Sequence, residues 1–210
     1  MSLKHHYLND KSYIVEVVDE ITSRAQNCQK HEKALTVGCS VGRVPMELGK
    51  IFNQSIGIDC TTRYFQMSSR LKETGFLKFK DIDINLKNLN IQEENVSLVQ
   101  MNPENPDERK INMCDLIFID GYSIKKNSIC EVIKNVMKLA GKNCTIVILN
   151  VTGFNQIGTE EAKKLMMKCV GGNVEAGEEK RLKISEGDQT FLPYHEDQME
   201  FRLGFYTLEK

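Results

Sequence analysis

Residues 35–48, Leu35-Thr-Val-Gly-Cys-Ser-Val-Gly-Arg-Val-Pro-Met-Glu-Leu48, set two glycines around a serine between an apolar run and a helix-forming one. A turn that leads from a strand into a helix and touches a cofactor excludes bulky side chains. The backbone must approach the ligand, and the helix must pack closely on the strand. Gly38 and Gly42 meet that demand, and Ser40 is small enough to tolerate it. Asp59 follows Gly42 by 17 residues and ends a second short apolar run, Ser55-Ile-Gly-Ile-Asp59. A carboxylate there can accept both hydroxyls of a ribose. The competing reading is a plain tight turn, with Asp59 capping the helix that begins near Thr61. The combination of turn and acid favours a nucleotide-type site. Because a single alternating unit carries it and no second nucleotide-binding half is visible, adenosine joined to an amino acid is expected rather than a dinucleotide.

Outward from this turn, strand-like and helical patterns alternate. Ser12 to Ala25 places Ile14, Val17, Val18 and Ile21 at helical spacing, and Ala34 to Val37 is a strand. Val44 to Phe52 is predicted as a helix, as is Thr61 to Thr74, with Thr61 or Thr62 available to cap it. Lys80 to Asn95 is polar and is predicted to be irregular. Val96 to Met101 resumes a strand, and Asp115 to Asp120 and Thr145 to Leu149 are strands of the kind buried on both faces. Helices are expected at Asn127 to Leu139 and Thr159 to Val170, and two late strands at Gln189 to Tyr194 and Phe201 to Leu208. Such alternation predicts an α/β fold, a mostly parallel sheet with helices on both faces. At 210 residues, one domain spanning 1–210 is expected.

Lysine plus arginine (28) nearly balance aspartate plus glutamate (29), so no field of one sign points to nucleic acid or to an acidic membrane. A small-molecule partner is the expectation; oligomeric state is not legible. The seven cysteines are scattered without a Cys-x-x-Cys pair, which reads as reduced thiols in a cytoplasmic protein. No run reaches the roughly 18 apolar residues of a membrane helix.

The glycine turn, the Gly-Ile-Asp that follows, Asp115-Leu-Ile-Phe-Ile-Asp120 and the late strands resemble class I S-adenosylmethionine-dependent methyltransferases. That resemblance implies a Rossmann-like sheet of seven strands, mostly parallel, with a C-terminal antiparallel strand. More specifically, Leu35 to Arg43 with Glu47-Leu48, and Gly57-Ile-Asp-Cys-Thr-Thr-Arg-Tyr-Phe-Gln66, resemble the methyltransferase domain at the C-terminus of ovothiol-synthesising 5-histidylcysteine sulfoxide synthases. His5-His-Tyr-Leu8, Glu196 and Phe201 extend the match along the chain. The resemblance implies methyl transfer from S-adenosylmethionine to an imidazole nitrogen of 5-thiohistidine. It places Gly38, Cys39, Ser40 and Gly42 at the methionine part and Asp59, followed by Cys60, at the ribose. Asn102 falls at the adenine, whose amino group its amide oxygen can meet. Tyr7, Tyr194 and Glu196 fall on the substrate side, as catalytic candidates.

Departures from the family pattern open two further readings. Thr36 stands where such enzymes carry an acid, and Asn102 where an aspartate is usual. Both losses favour a catalytically inactive binding subunit. Asp120-Gly-Tyr-Ser-Ile-Lys125 replaces the family's segment and resembles the loop of metal-dependent O-methyltransferases, in which Asp120 would need Asn150 and Asn155 as companions. Against this, Asp120 can simply cap a strand end, and no metal ligand is assigned. His5 and His6 read as a solvated tail, Cys39 as a small filler and Glu175 to Lys183 as a solvated loop or hairpin, while Arg43 reads equally as a carboxylate anchor and as a salt-bridge partner.

Overall fold

A computed structural model describes residues 7, 13–79, 82–89, 94–152, 155–182 and 201–209. In chain order the elements are α1 (Tyr13–Gln26), β1 (Lys33–Val37), α2 (Arg43–Leu48), β2 (Gln54–Asp59), α3 (Thr62–Thr74), β3 (Phe76–Phe79) and β4 (Ile82–Asn85). They continue with β5 (Val96–Gln100), β6 (Cys114–Asp120), α4 (Ile129–Val136), β7 (Ala140–Val151), α5 (Thr159–Val170), β8 (Asn173–Ala176), β9 (Lys180–Arg181) and β10 (Phe201–Glu209). The main sheet runs β5-β2-β1-β6-β7-β10-β8, and β9 pairs with β10 on the same side as β8. Strands β5, β2, β1, β6 and β7 are mutually parallel, whereas β10 is antiparallel to both of its neighbours. The fold is therefore the Rossmann-like methyltransferase architecture. Its antiparallel strand is inserted within the sheet, with β8 and β9 sharing the position beyond it.

Alternation along the strands divides two cores. Ile117, Ile119, Ile146 and Ile148 face Val132, Ile133 and Val136 of α4 and Ala162 and Met166 of α5. Leu116, Phe118, Val147 and Leu149 pack on the opposite face with Ile14, Val17 and Ile21 of α1 and Val44 and Leu48 of α2. Burial on both faces explains why these strands read as unbroken apolar runs.

Three expectations are corrected. Lys80 to Asn95 is not wholly irregular: β3 and β4 form a small antiparallel sheet, and Leu86–Leu89 a 3-10 turn. Ile84 and Leu86 bury themselves beside Leu77 and Val96, a short period-2 signal that the surrounding polar residues mask. Helix α2 stops at Leu48 rather than Phe52, with Gly49 at its end, where an added Cβ would lie 2.7 Å from Val96. Thr61 holds the position before α3 but makes no capping bond with its side chain; Asp59 serves that end instead. The predicted strand Gln189 to Tyr194 lies outside the described residues. All seven cysteines are free thiols, and among the described residues no helix is long and apolar enough to cross a membrane.

Candidate functional site

Register fixes the site. Val37 stands opposite Ile58 of β2 and Ile119 of β6, so the next residues, Gly38, Asp59 and Asp120, leave the sheet side by side. Strands about 4.8 Å apart put the two acids roughly 10 Å from each other across the glycine turn. Strand order also reverses at β1, the point where open α/β sheets bind ligands.

The turn itself is left-handed at Gly38 (φ 79°), Ser40 (φ 49°) and Gly42 (φ 86°). That conformation costs an L-residue about 1–2 kcal/mol, a cost Ser40 bears alone. Asp59 offsets it: one carboxylate oxygen accepts the Ser40 N–H at 2.8 Å and the other the Thr61 N–H at 2.8 Å. The carboxylate, only 2% exposed, thereby ties the turn to the start of α3. It has about four lone-pair positions, so two remain for further donors. The capping reading of Asp59 is thus seen, extended to a brace that joins the turn to the start of α3.

Cys39 is buried, and its Sγ would lie 3.0 Å from a Cβ added to Gly57. Burial foremost, and then the Asp59 charge, push its thiol well above the ordinary cysteine range, so it is a neutral filler rather than a nucleophile. Cys60 is exposed, next to Asp59. Asn102 is also exposed, just beyond β5, where the Met101 N–H bonds the Asp59 carbonyl at 2.9 Å. Its own Oδ1 accepts the Glu104 N–H at 3.0 Å. Thr36 is buried, and among the described residues its Oγ1 has no hydrogen-bond partner.

Across the turn, Asp120 organises the loop that follows β6. Its Oδ1 accepts the Tyr122 N–H at 2.9 Å and the Ser123 N–H at 3.3 Å, and its Oδ2 accepts the Ser123 hydroxyl at 2.7 Å. Burial pushes this carboxyl up to about 6, against the pull of those bonds. The proposed companions of Asp120 are committed elsewhere: Asn150 Oδ1 accepts from Ile157 N, and Asn155 Oδ1 from Ser128 N. Among the described residues no group of three or more His, Cys, Asp or Glu could hold a metal ion.

Tyr7 is buried, and its hydroxyl donates to the Val41 carbonyl at 2.8 Å, inside the glycine turn. Burial raises the phenol far above its usual range, so it stays protonated. Its ring lies under the Arg43 guanidinium, 5.6 Å from the ring centre, and Arg43 pairs with Glu47 at 2.7 Å. Tyr194, Glu196, His5 and His6 lie outside the described residues. Sequence reasoning gave Asn155 only a metal-ligand role and missed its contacts with the loop after β6. Those partners lie 27 to 34 residues away in the chain, beyond any local pattern.

By sequence, no family model and no curated protein matches the chain. By structure, it is similar to the N-methyltransferase NodS of Bradyrhizobium japonicum WM9 with bound S-adenosyl-L-homocysteine. That pair has a TM-score of 0.62 at 12% identity, over 97% of this chain and 91% of NodS. The magnesium protoporphyrin IX methyltransferase ChlM of Synechocystis PCC 6803 with bound S-adenosylmethionine gives 0.63 at 8% identity, over 93% and 79%. The precorrin 8w decarboxylase of Methanobacterium thermoautotrophicum gives 0.55 at 19%, over 91% and 89%. These likenesses define the class I methyltransferase fold. Fold alone does not fix a reaction, and the decarboxylase among the neighbours makes the point; function has to be argued from the site.

Proposed function

We propose that the chain is an S-adenosylmethionine-dependent methyltransferase acting on a small molecule. The observation that carries this reading is Asp59: a buried carboxylate at the end of β2, braced by two backbone N–H groups, directly beside a left-handed glycine turn. The residues fit the cofactor in kind. Gly38 and Gly42 leave the backbone bare, Asp59 retains acceptor positions for ribose hydroxyls, and Thr36 has a buried hydroxyl to spare. Asn102 falls to the adenine end, and Cys60 stands beside Asp59. When bound, S-adenosylmethionine supplies an electrophilic methyl on a sulfonium.

The chain's own contribution is to align an acceptor and keep it unprotonated, since attack on such a methyl needs positioning above all. For the acceptor we propose the imidazole of 5-thiohistidine, on the strength of the resemblance of residues 35–48 and 57–66 to the ovothiol-type domain. On the same ground Glu196 is assigned as the hydrogen-bond acceptor that keeps the ring nitrogen neutral, with Tyr194 beside it. Tyr7, a protonated phenol, acts as a wall and a donor to the turn. One observation favours a second reading, a fold kept for binding alone: Asn102, standing where an acid is usual, already uses its Oδ1 to accept the Glu104 N–H at 3.0 Å.

Calorimetric titration with S-adenosylmethionine and S-adenosylhomocysteine, with and without magnesium, tests the proposal. Micromolar binding without metal is expected, followed by methyl transfer to 5-thiohistidine but not to histidine. Binding that requires magnesium would point to O-methyl transfer, and no binding would favour a protein-binding role. Binding with no transfer to thiohistidine would reject the acceptor alone.

A further inference from the structure

The loop from Gly121 to Ser128 forms the wall over Gly38, and one side chain from another part of the chain holds it. Asn155, fully buried, donates through Nδ2 to the carbonyls of Gly121 at 2.8 Å and Lys125 at 3.0 Å, with Ile124 at 3.4 Å sharing a hydrogen. Its Oδ1 accepts the Ser128 N–H at 3.0 Å, where α4 begins. Both Nδ2 hydrogens and one of the two Oδ1 lone pairs are thereby used. Asn155 is itself fixed to β7, since its N–H donates to the Val151 carbonyl at 3.0 Å and its carbonyl accepts from Val151 N at 2.6 Å. At its near end the loop is anchored to β7. The Gly121 N–H bonds Leu149 O at 3.1 Å, and a Cβ there would lie 2.2 Å from that oxygen.

We infer that Asn155 is a positioning residue: a strut from the end of β7 that sets the height of the Gly121–Ser128 loop over the glycine turn, and so the wall against which a ligand at Gly38 is held. Among the described residues the Gly121 and Ile124 carbonyls depend on this buried donor, whereas the Lys125 carbonyl also accepts the Ser128 hydroxyl at 2.6 Å. An amide is the side chain that supplies two donors and one acceptor at a single point, which is why asparagine serves here and a metal ligand would not. The ligand half of this inference rests on the cofactor proposed above; the loop half does not.

The test uses the full chain without ligand and then with S-adenosylhomocysteine. Asn155→Ala is expected to speed hydrogen exchange of amides 121–128 at least tenfold while those of α1 and β1 keep their wild-type rates, and to weaken S-adenosylhomocysteine binding about tenfold. Asn155→Asp keeps the acceptor but turns a carboxylate toward three carbonyls. Relative to wild type at each pH, which removes the titration of Asp120 on the same loop, its loop protection and affinity should therefore recover as pH falls from 8 to 5 and the acid regains a donor. Should the alanine variant fail to fold, the aspartate series carries the measurement. Exchange unchanged in 121–128, or raised equally throughout, overturns the inference, as does a loosened loop with unaltered affinity. If the wild-type protein binds no S-adenosylhomocysteine, the cofactor reading and the ligand half fall together, and exchange alone decides the loop half.

Discussion

Two acids at the ends of the strands that flank β1 do different work, and their hydrogen bonds say which. Asp120 is surrounded by its own loop and titrates high because it is buried. An unfolded aspartate titrates near 3.9. Between about pH 4 and pH 6 the native state therefore holds more protons than the unfolded state, and stability falls as pH rises through that window. Asp120→Asn removes the titration. Its stability relative to wild type should rise by roughly 2–3 kcal/mol from pH 4 to pH 6 and stay level above. Urea unfolding of both proteins from pH 4 to 7.5 measures this, and a difference independent of pH would show that the Asp120 charge is not disfavoured by burial. Asp59 accepts from two N–H groups on separate segments. Asp59→Ala strands both donors, so it should cost about 2–4 kcal/mol of stability as well as most of the cofactor affinity. Asp59→Asn, which keeps one acceptor, should recover part of the stability without the affinity. Equal binding by Asp59→Asn and wild type would remove Asp59 from the ribose.

At the scale of elements, the sequence was legible where burial is two-sided or a helix is long. Asp115 to Asp120 and Thr159 to Val170 were readable from composition and period alone. The glycine turn and its acid were readable because the constraint is local: a strand, a bare turn, a helix, and an acid at the end of the following strand. The β3–β4 hairpin was not, because its two buried residues on β4 and beyond, Ile84 and Leu86, sit among Asp, Asn and Lys. Nor was the Asn155 network, whose donors and acceptors meet only once β6 and β7 are paired. The shortened α2 belongs to the same class, since its packing on β2 is visible only in three dimensions. Gly57 lies beneath it, where a Cβ would stand 2.9 Å from Pro45 and 3.0 Å from Cys39. Gly57→Ala should push α2 off the sheet, lowering stability by about 1–3 kcal/mol and weakening S-adenosylhomocysteine binding through the displaced turn. A urea midpoint equal to wild type would mean that Pro45 yields freely.

Across the whole molecule, the interior place of β10 links the last described residues to the first half of the fold. Its residues pair with β7 from Phe201 to Thr207 and with β8 from Tyr206 to Glu209, so the sheet is complete only once residues 201–209 have joined it. The proposed nucleotide-type site lies at the other side of β6, on strands that pair without β10. Ligand binding should nevertheless stabilise the molecule as one unit, because β1, β2, β6, β7 and β10 share one continuous core. A ligand that binds only the native state adds about 2.7 kcal/mol at one hundred times its dissociation constant. For a chain of this size each kcal/mol raises Tm by roughly 2–4 °C. S-adenosylhomocysteine at that excess is therefore expected to raise Tm by roughly 5–11 °C. Adenosine, which shares the ribose but lacks the amino-acid part, should act more weakly at equal concentration, and neither should act on Asp59→Ala. Scanning calorimetry of the two proteins with the two ligands separates the cases. A wild-type shift that persists in Asp59→Ala would place the nucleoside elsewhere, and equal shifts from adenosine and S-adenosylhomocysteine would mean that the glycine turn does not hold the methionine part.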